Sequence, residues 1–239
     1  MNTDQLKTKI GQVPALFVFK KTLFEASQNG VILFYHGLGA SKETNFKELE
    51  SLADAGFLAV GLDVCCHGER RSKDFDSQFD EHSPNFELEL ISAIKNTADE
   101  VPKIIDELIA NYKISSERIG ISGISMGGYI AYKAVTIDRR IKAAVPILGS
   151  PQWNVMRHES PCFFLNNFFP AALLAQNAGK DNTVPPFNSK KLYNDLLPYY
   201  KQAPERLGYV EYPESDHFML EYEWNELWSN TINWFLKFM

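Results

Sequence analysis

Residues Ile121-Ser122-Gly123-Ile124-Ser125-Met126-Gly127-Gly128 set a serine between two glycines, where an apolar, β-branched run gives way to a helical one. The pattern reads as strand, sharp turn, helix. A serine at that junction is lifted above a sheet on a strained backbone, and the flanking glycines remove Cβ atoms where strand and helix converge. Ser125 is therefore the candidate nucleophile. The free N–H groups of the first helical turn point at negative charge developing beside it, which makes the Met126 amide the expected first oxyanion donor. A serine nucleophile also needs a base, an acid and a second oxyanion donor, so the octapeptide can be tested against the rest of the chain.

Outward from this junction, strands alternate with helices. Short opening strands are expected at residues 6–10 and 15–19, with Pro14 marking the turn between them. Val31–Tyr35 is a continuous apolar run of the kind a strand covered on both faces requires. Glu43–Ala55 reads as a helix stopped by Gly56, followed by a strand at Leu58–Leu62 and a long helix from about Phe86 to Tyr112. The series continues with strand Arg118–Ser122, helix Met126–Thr136, strands Ile141–Leu148 and Ala172–Gln176, helix Ser189–Leu197, strand Leu207–Tyr212 and a final helix from about Tyr222. Connections of helical length between buried strands imply an α/β fold with a mostly parallel sheet, helices on both faces and a site at the carboxyl ends of the strands.

That edge collects the partners Ser125 needs. The loop after Val31–Tyr35 reads His36-Gly37-Leu38-Gly39, and the Leu38 N–H is the expected second oxyanion donor, with His36 bracing the loop. A dinucleotide-binding loop would need a glycine where Lys42 stands. His217, just after the last predicted strand, is the candidate base. Asp181, in the turn beyond Ala172–Gln176, is the candidate acid, keeping the imidazole in the right tautomer. The order Ser125, Asp181, His217 suits a nucleophile on a strand–turn–helix elbow. Asp63 belongs to another strand, and Asp216 is adjacent to the histidine and badly directed.

The 239 residues, 45% of them apolar, are enough for one domain spanning 1–239. A net charge of −6 with scattered basic residues argues against nucleic-acid partners. The N-terminal Met1–Gln5 contains an acid and no apolar stretch, and no run approaches the roughly 18 residues of a membrane span, so neither a signal peptide nor a membrane partner is expected. Cys65, Cys66 and Cys162 cannot all pair within the chain, which fits a reducing cytoplasm. Cys65 and Cys66 lack companion ligands at zinc spacing, and no metal or other cofactor is expected. Composition leaves the oligomeric state open.

Three segments in order, His36–Asn45, Asp63–Arg70 and Gly123–Gly128, resemble the α/β-hydrolase superfamily, and within it the prolyl-oligopeptidase-like and dienelactone-hydrolase-like bacterial esterases. The resemblance covers nearly the whole chain. It implies an eight-stranded, mostly parallel sheet and a catalytic triad of Ser125, His217 and Asp181, with Asp63 and His67 holding their loop structurally. The segment Leu174–Gly179 departs from the pattern, being more polar than the usual strand before the acid. Dienelactone hydrolysis itself is disfavoured by the resemblance, because that subfamily uses cysteine where this chain has Ser125.

Between Ile141–Leu148 and Asp181 lies an aromatic stretch, residues 151–170, where such folds commonly insert a short cap. Trp153, Phe163 and Phe164 from it, with Phe218 beside His217, are the candidate pocket residues, the alternative being that the aromatics of the stretch simply pack against the domain. The connection Val64–Pro84 is long for a structureless loop and borders the entrance or forms a solvated face. Together these readings predict a serine hydrolase acting on small carboxylic esters through an acyl-enzyme. A serine peptidase for short peptides is the second enzymatic reading, although only 30 residues precede Val31, too few for a gating propeller. A noncatalytic ligand-binding module is the reading from another class.

Overall fold

In the computed structural model, which describes residues 3–239, eight strands form one sheet. They are β1 Asp4–Ile10, β2 Val13–Phe19, β3 Val31–Tyr35, β4 Leu58–Leu62, β5 Ile119–Ile124, β6 Ile141–Ile147, β7 Ala172–Ala178 and β8 Leu207–Tyr212. Across the sheet the order is β1-β2-β4-β3-β5-β6-β7-β8. The β1–β2 and β2–β4 pairs are antiparallel, and the remaining pairs are parallel. Seven α-helices accompany them among the described residues: α1 Leu23–Asn29, α2 Phe46–Asp54, α3 Phe75–Gln78, α4 Phe86–Tyr112, α5 Met126–Ile137, α6 Phe187–Leu196 and α7 Glu221–Phe238.

The unbroken apolar runs follow from burial on both faces. In β3, Val31, Leu33 and Tyr35 join the core beneath α4 and α5, while Ile32 and Phe34 join the core beneath α2 and α7. Successive side chains of a strand point to opposite faces, so a doubly covered strand has no polar positions to alternate with. β7 carries polar residues and is nevertheless buried throughout. Gln176 explains part of that polarity: its amide donates to Thr231 Oγ1 at 2.8 Å, and its carbonyl oxygen accepts from the Tyr212 hydroxyl at 2.6 Å. Buried polar groups satisfied in this way pin β7 to β8 and α7.

Two local readings change. The hairpin turn falls at Gly11-Gln12, and Pro14 lies inside β2 opposite Lys9, close enough to the strand start to be tolerated. The sequence reading also passes over α1, which Thr22 and Glu25 start with a reciprocal capping box. The 151–170 segment winds through three short 3₁₀ turns fastened along α5. Lys133 of α5 donates to the Glu159 carbonyl and carboxylate, both at 2.8 Å, and Asn167 donates to the Thr136 carbonyl at 2.8 Å. Trp153 and Phe168 are fully buried by this packing. No helix among the described residues is long and apolar enough to cross a membrane.

Candidate active site

β5 ends at Ile124 and α5 begins at Met126, leaving Ser125 alone at φ 55° and ψ −115°. A left-handed φ at a non-glycine residue costs energy and persists only when its neighbours hold it. Here the Ser125 N–H donates to the Ile147 carbonyl at 2.9 Å, and the Ser125 carbonyl accepts from Gly128 and Tyr129 at 2.8 and 3.1 Å. The glycines let the turn close: a Cβ on Gly123 would stand 2.6 Å from the Gly127 backbone, and one on Gly127 would run into the Tyr35 carbonyl.

His217 reaches Ser125 from the loop after β8. Its Nε2 lies 3.0 Å from Ser125 Oγ, and its Nδ1 lies 2.7 Å from Asp181 Oδ2. Asp181, buried beyond the end of β7, is fixed by its other oxygen, which accepts the Thr183 and Val184 N–H groups at 2.8 Å each. With Nδ1–H donating to Asp181, the neutral imidazole keeps an Nε2 lone pair toward the serine. The acid turn and the histidine loop are tied directly, since the Lys180 N–H donates to the Ser215 carbonyl at 2.9 Å. The three groups expected from the sequence are thus brought together from three strand ends.

The loop after β3 brings Gly37 alongside; a Cβ added there would lie 3.7 Å from Ser125 Cβ. Leu38 and Met126 line the same cavity as Ser125. His36 is fully inside, accepting the Val64 N–H at Nε2 (3.2 Å) and contacting the Gly37 carbonyl through Nδ1 (2.8 Å). These roles require the neutral Nδ1–H tautomer. Burial pushes its pKa down to about 4, against the opposing pull of the Gly37 carbonyl. Asp63 is structural: it accepts the Lys42 and Glu69 N–H groups and the Lys42 ammonium at 2.8, 2.9 and 3.0 Å. That places its carboxylate among loop amides rather than beside His217.

The chain matches the model of the dienelactone hydrolase family over residues 15–237. It belongs to that family. A relative, "Putative esterase YitV" of Bacillus subtilis (strain 168), is 27% identical over 216 residues, covering 78% of this chain and 82% of the relative. TT1662 of Thermus thermophilus has the same fold, with a TM-score of 0.79 at 18% identity, covering 98% of this chain and 99% of that one. Dipeptidyl peptidase 4 of Porphyromonas gingivalis shares the fold over 100% of this chain and 36% of its own, with a TM-score of 0.73 at 16% identity. At such identities the likeness to solved structures concerns architecture alone. This family member has the α/β-hydrolase fold, with Ser125 at the junction of β5 and α5.

Two cavities adjoin Ser125 and His217 in this dienelactone hydrolase family chain. One, of about 290 Å³, is lined by Leu38, Ser125 and Met126 on one side and by Phe86, Leu90 and Ile94 of α4 on another. Glu81 borders it too, so the Val64–Pro84 connection does reach the entrance. Tyr129, Thr183 and Val184 complete its wall; burial pushes the Tyr129 hydroxyl up to about 12, and the Asp181 charge adds to the effect. The second cavity, about 370 Å³, is lined by His217, Phe218, Ile124, Leu148, Met219 and Trp224.

The pocket residues read from the sequence divide accordingly. Phe218 lines the second cavity and Trp153 lines a space that continues from the first along Phe86, Leu90 and Tyr129. Phe163 and Phe164 are corrections. Phe163 faces a separate depression with Arg157 and Lys191, and Phe164 stacks under the Lys133 ammonium at 4.8 Å, because the 3₁₀ turns turn both rings toward α5 and α6 instead of Ser125. The pocket wall that sequence reasoning missed is Phe86, Leu90 and Ile94. Their helical spacing reads only as a core-facing stripe, and nothing local says that the start of α4 overhangs the elbow.

Proposed function

We propose that this chain is a cytoplasmic serine esterase that cleaves small carboxylic esters through an acyl-enzyme. The observation that carries the reading is the unbroken line from Asp181 through His217 to Ser125, with contacts of 2.7 and 3.0 Å. In this mechanism Ser125 Oγ attacks the ester carbonyl as its proton passes to His217 Nε2. The Leu38 and Met126 amides stabilise the oxyanion that forms. Collapse of the intermediate expels the alcohol, which takes the proton from Nε2, and water then releases the acid by the same steps in reverse roles. The apolar wall beside Ser125 favours apolar acyl groups and excludes water around the developing charge. Unpaired cysteines, all three partly exposed, suit a reducing compartment.

The test is steady-state hydrolysis of aryl esters by Asp181→Asn. Holding the imidazole in the wrong tautomer should lower kcat by about 10⁴-fold while the protein stays folded. Turnover near the wild-type rate would remove Asp181 from the mechanism.

A further inference from the structure

The two cavities sit over opposite faces of the sheet. Leu90, Ile94 and Tyr129 of the first belong to or pack on the core beneath α4 and α5, whereas Ile124, Leu148, Met219 and Trp224 of the second belong to or pack on the core beneath α2 and α7. Ser125 and His217 stand between them. An ester placed across the elbow therefore has a separate space for each half.

We propose that the cavity beside His217 binds the alcohol half of the substrate, and that it takes a bulky, uncharged, apolar alcohol such as an arylalkyl group. This assignment rests on the serine-esterase reading, and the proton inventory of that reaction fixes the sides. When the carbonyl carbon bonds to Ser125 Oγ, the serine proton moves to His217 Nε2. When the bond between that carbon and the alcohol oxygen breaks, the same proton moves from Nε2 to the departing oxygen, which leaves as a neutral alcohol. The departing oxygen must lie within hydrogen-bond reach of Nε2, so the group attached to it extends to the His217 side. The acyl chain is left to the cavity lined by Leu38 and Met126, the proposed oxyanion donors.

Phe218 is the side chain that reads the alcohol. It is 90% exposed, the most exposed of the large apolar side chains among the described residues, and its ring stands edge to face with His217 at 6.0 Å between centroids. Its backbone is held in place by donation to the Asp216 carboxylate at 2.9 Å. Covering that ring and Trp224 with an apolar group removes both partners from water and stabilises the complex. The charged residue in this lining is Glu221, and no lysine or arginine is among the lining residues, so an anionic alcohol group is disfavoured.

The experiment compares kcat/KM for 2-phenylethyl butyrate, methyl butyrate and 2-phenylethyl acetate in the wild type, Phe218→Ala and Phe218→Trp, with Ser125→Ala as the control. Because Phe218 is exposed, its truncation spares the core. The wild type should prefer the phenylethyl over the methyl butyrate by about tenfold or more, the scale on which apolar subsites discriminate. Phe218→Ala should collapse that alcohol ratio toward unity and leave the butyrate-to-acetate ratio unchanged; Phe218→Trp should keep both. A flat alcohol ratio in the wild type, an alcohol ratio that survives Phe218→Ala, or an acyl ratio that moves with it would overturn the assignment. Hydrolysis persisting in Ser125→Ala, or absent with every ester in the wild type, would instead remove the serine-esterase reading and this inference with it.

Discussion

At Ser125 and His36 the chain holds two residues in states that isolated peptides avoid, one in backbone conformation and one in protonation. The Ser125 turn was legible because its requirement is written in neighbouring glycines. The state of His36 was legible only as a bracing contact, since its burial depends on Asp63, Val64 and the β4 loop arriving from elsewhere in the chain. Its consequence is a pH-dependent stability. The unfolded chain protonates His36 near the ordinary 6.5, the folded one only near 4, so between those values the unfolded state binds more protons. Stability contributed by the neutral ring is therefore complete above pH 6.5 and falls as pH drops toward 4, by ~3 kcal/mol at the limit. Burial lowers His67 in the same direction. Urea unfolding between pH 7 and 5 should show this loss in the wild type and a shallower slope in His36→Asn. Equal slopes in the two proteins would mean that His36 is not held neutral by the fold.

Loop and helix pair up at the next scale to hold the loop that carries His217. Ser215, buried, donates its hydroxyl to the Glu223 carboxylate and accepts the Leu220 N–H at 2.9 Å, while Glu223 also accepts the Glu214 N–H at 3.3 Å. The clamp closes the loop around His217, and the Ser215 carbonyl ties it to the Asp181 turn. The sequence placed His217 on this loop, but an acid in the first turn of α7 reads as an ordinary partner of the helix dipole, so nothing marked Glu223 as buried. The same limit hid α1: a seven-residue helix shows too few turns for periodicity to register. Glu223→Ala should lower kcat by about 10–100-fold, because small misplacements of a catalytic group are expensive, with KM little changed. Glu223→Gln keeps an acceptor and should retain most of the activity. A variant that melts earlier but turns over normally per folded molecule would make the clamp structural only.

Across the whole molecule, the alternation of apolar runs with helices sufficed for the parallel sheet, because doubly covered strands carry an unbroken pattern that surface strands do not. It also sufficed to gather Ser125, Asp181 and His217 on one edge, since each lies in the turn or loop after a strand of a sheet whose parallel strands all end there. The pocket was less readable. Its walls come from the start of α4 and from the β8–α7 loop, and which segment faces the elbow depends on loop paths that periodicity does not encode. Hence the 151–170 ring systems were expected over the site, whereas Phe163 and Phe164 turn away from it. The fold and family are in hand; the chemistry at the elbow is the claim on which everything else depends. Treating the native protein with a fluorophosphonate and mapping the adduct by mass spectrometry tests it most directly. The account predicts a single phosphonyl group on Ser125 in the wild type and none in Ser125→Ala. Equal labelling of both proteins, or an adduct on another residue, would contradict it.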